Sequence, residues 1–355
     1  MTIITSTEQL MADWFTAVLR KSGALIQGSV VGFETEGDTS VNAHIVDIQL
    51  RYALGSTGAL PTKLFLKMCE GGGTFGPSEV DYYSRDYVDL KDAPIPCCYD
   101  AVYSVEQQRY HILMDDLGDT HRNNWGVAPT LAYGRAVAEG LAALHAHWWG
   151  ASRLRTGEHT LPSAAVIDRY IEHIRPGLAP MLESIQGEAD PAWAGALRDI
   201  FKHHPAKMIE RTANPDGFTL IHGDPNPGNI LSPIAGATPV YIVDRQPFDW
   251  SLTTWLGVSD IAYMMVHWWE TDLRRQLEFQ VLRRYHESLV GRGVSGYTWE
   301  QLVDDYNLCA VQSIYVATEW CVHDEDRTNM RWVWLPQLQK AMAAFFDLRC
   351  AELWI

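Results

Sequence analysis

Positive charge is scarce in this chain. Lysine and arginine number 28 in 355 residues against 44 aspartates and glutamates, a formal charge of −16. No cluster of them resembles the basic footprint with which nucleic-acid binders displace counterions, so no nucleic-acid partner is expected. The acidic surplus suits a cationic or neutral small ligand, and equally a surface that serves only solubility. Cysteine is scarce too: six residues cannot build a disulfide scaffold at this length, and the adjacent Cys97 and Cys98 lack the C-x-x-C spacing of a zinc site. All six are expected as reduced thiols. Nowhere do about 18 consecutive apolar residues occur, and the opening MTIITSTEQLMADWF has neither a basic start nor a long apolar run. A soluble cytoplasmic protein with no membrane partner is the expectation. Internal repeats and low-complexity linkers are also missing.

What is present is enough apolar residue, 47%, to bury a substantial core, in a chain long enough for two lobes. Residues 7 to 20 carry Leu10, Trp14 and Val18 at helical spacing. From 41 to 52 the sequence alternates, with Val46, Ile48, Leu50 and Tyr52 on one face and Asp47, Gln49 and Arg51 on the other. KLFLKM alternates again and turns Lys67 away from the side carrying Leu64, Leu66 and Met68. Ser78 is a plausible N-cap for a helix with Val80, Tyr83, Tyr87 and Leu90 along one stripe. CCYDAVYS and RYHILMDD read as two strands joined by the polar turn VEQQ. The character changes near Leu117 and Gly118, dividing the chain into 1–115, mostly antiparallel sheet, and 116–355, mostly helical. In the second part FTLIHGD and PVYIVD suit short buried strands of a small internal sheet.

The chemistry concentrates in IHGDPNPGNIL, a loop stiffened by two prolines. His222, Gly223, Asp224 and Asn229 spell H-G-D-x-x-x-x-N after one short strand, and Asp244 ends the next. An acid aimed at an acceptor hydroxyl, followed by an amide and a second carboxylate able to hold a hard cation, is what metal-assisted phosphoryl transfer requires.

On these residues the sequence resembles the aminoglycoside phosphotransferase and choline kinase family of the protein-kinase-like superfamily, including its ecdysteroid-kinase-like branch, over roughly residues 28 to 270. The resemblance implies an α+β, bilobal fold, with a small antiparallel-sheet N-terminal lobe that binds nucleotide and a larger, mainly helical C-terminal lobe. It implies ATP and Mg²⁺ as cofactors and a small-molecule kinase as the activity. Asp224 would orient and deprotonate the acceptor hydroxyl, and Asn229 and Asp244 would hold Mg²⁺. Lys67 would contact the α and β phosphates with Glu79 as its partner, backbone groups of Met114, Asp115 and Asp116 would receive the adenine, and Asp260 would accept backbone N–H bonds from the loop. His222 would bond the loop backbone.

Two departures qualify the resemblance. The first hairpin has only Gly32 and Gly37 near its turn, which leaves backbone N–H groups of Asp38, Thr39 and Ser40 to cover phosphate. The metal aspartate is followed by Arg245 and Gln246, which argues against a protein substrate and for a hydroxylated small molecule: a cationic amino alcohol, an aminoglycoside-like or a sterol-like acceptor. The later tryptophans, among them Trp250, Trp255, Trp268, Trp269, Trp320, Trp332 and Trp334, with Asp324, Glu325 and Asp326 nearby in sequence, could wall a cationic acceptor; core packing is the expectation for most. Two rival readings stand beside this one. Gly71 to Gly76 matches G-x-G-x-x-G, the mark of a dinucleotide-binding oxidoreductase, but the helix after it leads into an antiparallel pair and not back to a parallel strand. The other is a kinase-shaped binding protein without turnover, against which the retention of four costly polar side chains speaks. His145 and His147, at i and i+2, face different sides of a helix and suit packing better than metal binding.

Overall fold

The computed structural model describes residues 3–39, 43–70, 74–150, 154, 159–236 and 239–354. Ser40 and Gly71–Gly73 lie outside the described residues, as do the side chains of Asp38 and Thr39. The chain divides into two compact units. The first comprises 1–122 together with 233–236 and 243–249; the second comprises the remainder. The boundary read from the sequence fell at 115/116. In the structure the first unit runs on through Arg122 and takes in the later segment that contains Asp244.

The first unit is built on a five-stranded sheet whose every pairing is antiparallel. Val30–Thr39 pairs with Ala43–Tyr52, which pairs with Lys63–Glu70, then Arg109–Asp115, then Cys98–Ser104. The alternation of Ala43–Tyr52 is expressed as burial of Val46, Ile48 and Leu50, which join Leu64, Leu66 and Leu113 in one core. Phe15, Val18 and Leu19, from the amphipathic helix Ala12–Lys21, complete that core. Each such side chain, fully buried, stabilises the unit by about 1.5–3 kcal/mol. Thr16 fixes the helix to the sheet: its Oγ1 donates to the Ala12 carbonyl at 2.9 Å and accepts from the Val30 N–H at 2.9 Å. After the helix Ser78–Asp81 the strand Cys98–Ser104 enters antiparallel to its neighbour, the opposite of what a dinucleotide-binding unit needs.

Three local expectations change in detail. The opening helix splits into a 3₁₀ turn at Thr7–Gln9 and the helix proper from Ala12. The helix after the glycine stretch takes Pro77 as its N-cap, and the buried Ser78 hydroxyl makes no hydrogen bond among the described residues. That helix then widens into a π turn over Tyr82–Asp86, which brings Tyr82 and Asp86 inward beside Tyr83 and breaks the 3.6-residue stripe.

The second unit is helical. Thr130 caps the helix Leu131–Trp148 by accepting from the Tyr133 N–H at 3.1 Å. Gly134 lets this helix lie directly against Thr271–Gly291, since a Cβ there would stand 2.7 Å from Val281 and 2.8 Å from Trp269. The helix Trp299–Glu319 opens with a capping box between Thr298 and Gln301 and buries Leu302, Tyr306, Val311, Ile314 and Tyr315. Within this unit the described residues form, in place of one internal sheet, two short ladders: Phe218–Leu220 with Thr254–Leu256, and Ile230–Leu231 with Tyr241–Ile242. Trp255, Trp269 and Trp334 are wholly buried, whereas Trp332 is 75% exposed. No helix among the described residues is long and apolar enough to cross a membrane.

His204 gives this unit a built-in acid sensitivity. It is buried between the Tyr315 hydroxyl, 2.8 Å from Nδ1, and the Leu308 carbonyl, 3.0 Å from Nε2. Burial, opposed by the carbonyl bond, pulls its pKa down to about 4. Between that value and about 6.5 the unfolded chain binds a proton that the native state refuses, so stability falls as pH drops through this window, by up to about 1.4 kcal/mol per pH unit. His204→Gln is expected to remove roughly one proton from that slope. Urea unfolding at several pH values between 7 and 4 checks it; an unchanged slope would assign the acid sensitivity elsewhere.

Candidate active site

Lys67 sits on the face of its strand opposite Leu64, Leu66 and Met68, so its stem crosses to the side where the helix Ser78–Asp81 lies. Its ammonium meets Glu79 Oε1 at 2.8 Å and Asp244 Oδ1 at 3.0 Å. Glu79 is 1% exposed and also accepts a hydrogen bond from the Tyr110 hydroxyl. Burial would lower the Lys67 pKa, but the negative charges of Asp244 and Glu79 hold it above its ordinary value. For Glu79 burial dominates: it outweighs the attraction of Lys67 and, helped by Asp244, pushes the carboxyl up to about 7. This cationic centre is therefore fixed in place by two carboxylates, one buried and one 40% exposed.

Asp244 stands at φ 61°, a left-handed conformation that aspartate tolerates better than most residues. Four contacts within the first unit hold it and the segment that follows. Its backbone N–H donates to the Tyr83 hydroxyl at 3.1 Å, and the next residue, Arg245, forms a fully buried ion pair with Asp86 at 2.7 Å. Further along, the Gly76 N–H donates to the Pro247 carbonyl at 2.8 Å and the Asp249 N–H to the Thr74 carbonyl at 3.1 Å. The π turn at Tyr82–Asp86 is thus what carries both Tyr83 and Asp86 to this segment.

Of the strand end expected to receive a base, Met114 is buried. The Asp115 N–H is already given to the Cys97 carbonyl at 2.9 Å and the Asp116 N–H to the Lys63 carbonyl at 3.4 Å. Asp115 accepts from the Tyr99 hydroxyl at 2.6 Å, and Asp116 from the Gly118 N–H at 2.7 Å. Of the hairpin residues, Asp38 and Thr39 continue the strand register, opposite Ile45 and His44, and Ser40 lies outside the described residues.

In the second unit the loop 221–231 is shaped from below by Asp260, on the helix Val258–Ala262. This carboxylate, 1% exposed, accepts from the backbone N–H of His222 at 2.7 Å and of Gly223 at 2.9 Å, and contacts His145 Nε2 at 3.0 Å. His145 Nδ1 in turn lies 2.7 Å from the Tyr285 hydroxyl. Burial alone would raise the Asp260 pKa; the hydrogen bond and charge of His145, with His222, hold it below the usual carboxylate range. Gly223, at φ 83°, makes the turn that lets two successive N–H groups point at one carboxylate.

Above that support the loop organises itself. Pro225 and Pro227 remove two donors and fix φ. Asn226 Oδ1 accepts from the N–H of Gly228 at 2.7 Å and of Asn229 at 3.2 Å, a turn made by a side chain. Asn124 clasps the loop from outside, its N–H on the Pro227 carbonyl at 2.8 Å and its amide on the Ile230 carbonyl at 2.7 Å. The Asp224 carboxylate receives the Tyr263 hydroxyl at 2.7 Å and the Asn226 amide at 3.0 Å on Oδ1, and the Asn229 amide at 3.1 Å on Oδ2. The Asp224 N–H reaches His222 Nδ1 at 3.3 Å.

A phosphotransferase bound to GDP, a mutant aminoglycoside 2'-phosphotransferase, matches 95% of this chain and 99% of its own at 13% identity, with a TM-score of 0.51. Two further solved structures agree. A glucosamine kinase matches 96% of this chain and 83% of its own at 12% identity and a TM-score of 0.55. Choline kinase from Streptococcus pneumoniae matches 95% and 99% at 14% identity and a TM-score of 0.50. The chain has a kinase-like α+β fold. Neither a family model nor a curated protein sequence matches it. At these identities the likeness carries the fold and no substrate.

Within the kinase-like fold the sequence-selected residues fall into two groups: Lys67, Glu79 and Asp244 in the first unit, Asp224, Asn229, His222 and Asp260 in the second. Sequence reading missed Tyr83, Tyr110, Tyr263 and the Arg245–Asp86 pair. Only Tyr263 had a local signal, three residues after Asp260 and hence on the same helix face. Each unit carries an oxygen donor of the kind a hard cation takes: the Asp244 carboxylate in the first and, in the second, the amide oxygen of Asn229, whose Nδ2 is spent on Asp224. Among the described residues no group of three or more His, Cys, Asp or Glu could hold a metal by itself.

Proposed function

We propose that this protein is a small-molecule kinase that transfers the terminal phosphoryl group of ATP to a hydroxyl. The observation that carries the reading is the arrangement of Asp224, a carboxylate held by three side-chain donors on a loop that Asp260 supports from beneath. A general base needs a fixed orientation more than an extreme pKa, and this loop supplies it. Asp224 orients the acceptor alcohol and takes its proton late, because phosphoryl transfer passes through a loose transition state. Lys67, steadied by Glu79, places a fixed positive charge against the α and β phosphates. Asp244 and Asn229 would supply oxygen ligands for Mg²⁺, which would neutralise charge on the phosphates. His222 and Asp260 hold the loop. Backbone groups of Met114 to Asp116 receive the base; with the N–H groups of Asp115 and Asp116 already engaged, backbone carbonyls are the better candidates there.

The acceptor is a hydroxylated small molecule and not a protein, with amino alcohols, aminoglycosides and sterols as the classes to try. The sterol class follows the sequence's resemblance to the ecdysteroid-kinase-like branch. A cytoplasmic site of action is part of the same reading.

Titration with Mg·ATP tests the nucleotide half of this function. Lys67→Met is expected to weaken binding about 10- to 100-fold, the loss of a hydrogen-bonded charge pair. Equal affinities for wild type and variant would remove Lys67 from the phosphate site.

A further inference from the structure

Asp224 is steadied from a direction the loop sequence does not announce. Tyr263 follows the helix Val258–Ala262 and opens a π turn, Tyr263–Trp268. Its hydroxyl donates to Asp224 Oδ1 at 2.7 Å, shorter than the amide bonds from Asn226 and Asn229. Burial, reinforced by the charge of Asp224, raises the Tyr263 pKa well above its ordinary value, so the hydroxyl remains a donor. The ring itself is clamped. His267 stacks on it with centroids 5.0 Å apart and planes inclined by only 14°. That imidazole is buried, with the Gln337 side chain beside it. A π turn inside a helix is rare, and such turns concentrate at functional sites. This one opens on Tyr263 and carries the His267 ring that stacks on it.

We propose that Tyr263 is the positioning residue for the base: its hydroxyl fixes the Asp224 carboxylate in the rotamer that meets the acceptor alcohol, and the His267 stack fixes Tyr263. One helix then serves the loop twice, through Asp260 beneath the backbone and through Tyr263 on the reacting side chain. The proposal rests on the phosphotransfer reading of Asp224.

Tyr263→Phe tests it, because phenylalanine keeps the ring and its stack while deleting the donor. With an acceptor that the wild type phosphorylates, kcat is expected to fall about 10-fold or more, since small displacements of a reacting group cost rate steeply. The Kd for Mg·ATP and the Tm should stay close to wild type, and more ATP should be lost to water per acceptor phosphorylated. A crystal structure of the variant should show Asp224 in another rotamer. Wild-type kcat and wild-type partition between water and acceptor would overturn the proposal, as would an unmoved Asp224. So would parallel losses of Tm and nucleotide affinity, which would make Tyr263 a packing residue. A wild-type protein that phosphorylates nothing would instead overturn the phosphotransfer reading, and this proposal with it.

Discussion

Asp224→Asn is expected to lower kcat by about 10³-fold while leaving the Kd for Mg·ATP within about a factor of two. The substitution keeps the shape of the side chain and removes the charge that would accept the alcohol's proton. It also replaces one acceptor oxygen by an N–H₂, which would face a donor wherever Tyr263, Asn226 or Asn229 now gives a hydrogen bond. The loop backbone should survive this, because its shape depends on Asp260, on the Asn226 side-chain turn and on Asn124, none of which is altered. Steady-state rates paired with nucleotide titration separate the two effects. A variant that turns over at the wild-type rate would show that Asp224 is not the base, and a variant that loses both turnover and nucleotide affinity would show that it mainly shapes the site.

Asp260→Ala is expected to destabilise the protein by about 3–5 kcal/mol. Two successive backbone N–H groups and a buried histidine lose their common acceptor at once, and each buried donor left without a partner costs about 1–3 kcal/mol. Because the native pKa of Asp260 is depressed, its contribution is fully present above the unfolded value near 3.9 and disappears as pH falls through the lower native value. The variant should therefore lose stability at pH 7 and show a shallower acid dependence below about pH 4. Urea unfolding at pH 7 and at several pH values below 4 measures both; an unfolding free energy at pH 7 within about 0.5 kcal/mol of wild type would mean that the loop is held by other contacts.

The parts of the fold that follow simple periodicity could be read from the sequence. Val46, Ile48 and Leu50 alternate and are buried together; Lys67 falls on the opposite face from Leu64 and Leu66, and it is there that Glu79 meets it. The spacing of H-G-D and Asn was equally visible, since a loop of prolines and short polar side chains makes its own turn. What stayed hidden depends on departures from regular helix or on pairings remote in sequence. A 3.6-residue reading of SEVDYYSRDYVDL puts Val80, Tyr83, Tyr87 and Leu90 on one stripe, but the π turn adds Tyr82 and Asp86 to the buried side. Asp86 then meets Arg245, a partner 159 residues away that no local pattern could nominate. Tyr263 shares a helix face with Asp260, but its partner Asp224 lies 39 residues away, so the contact itself stayed hidden. Of the strands in the two small ladders of the second unit, Phe218–Leu220 and Tyr241–Ile242 were legible, but their partners Thr254–Leu256 and Ile230–Leu231 were not, because strands of two to four residues carry too little pattern to announce themselves or to choose a neighbour.

The account stands or falls on phosphoryl transfer itself. The most direct measurement incubates the wild-type protein with ATP, Mg²⁺ and a panel of hydroxylated amines, aminoglycosides and sterols, and follows the products by mass. It predicts that at least one alcohol gains a single phosphoryl group, with ADP released in equal amount and no product when Mg²⁺ is chelated or Asp224 is replaced by Asn. Binding of Mg·ATP with no phosphorylated product anywhere on the panel, or a product that forms equally well with the Asp224→Asn variant, would contradict it.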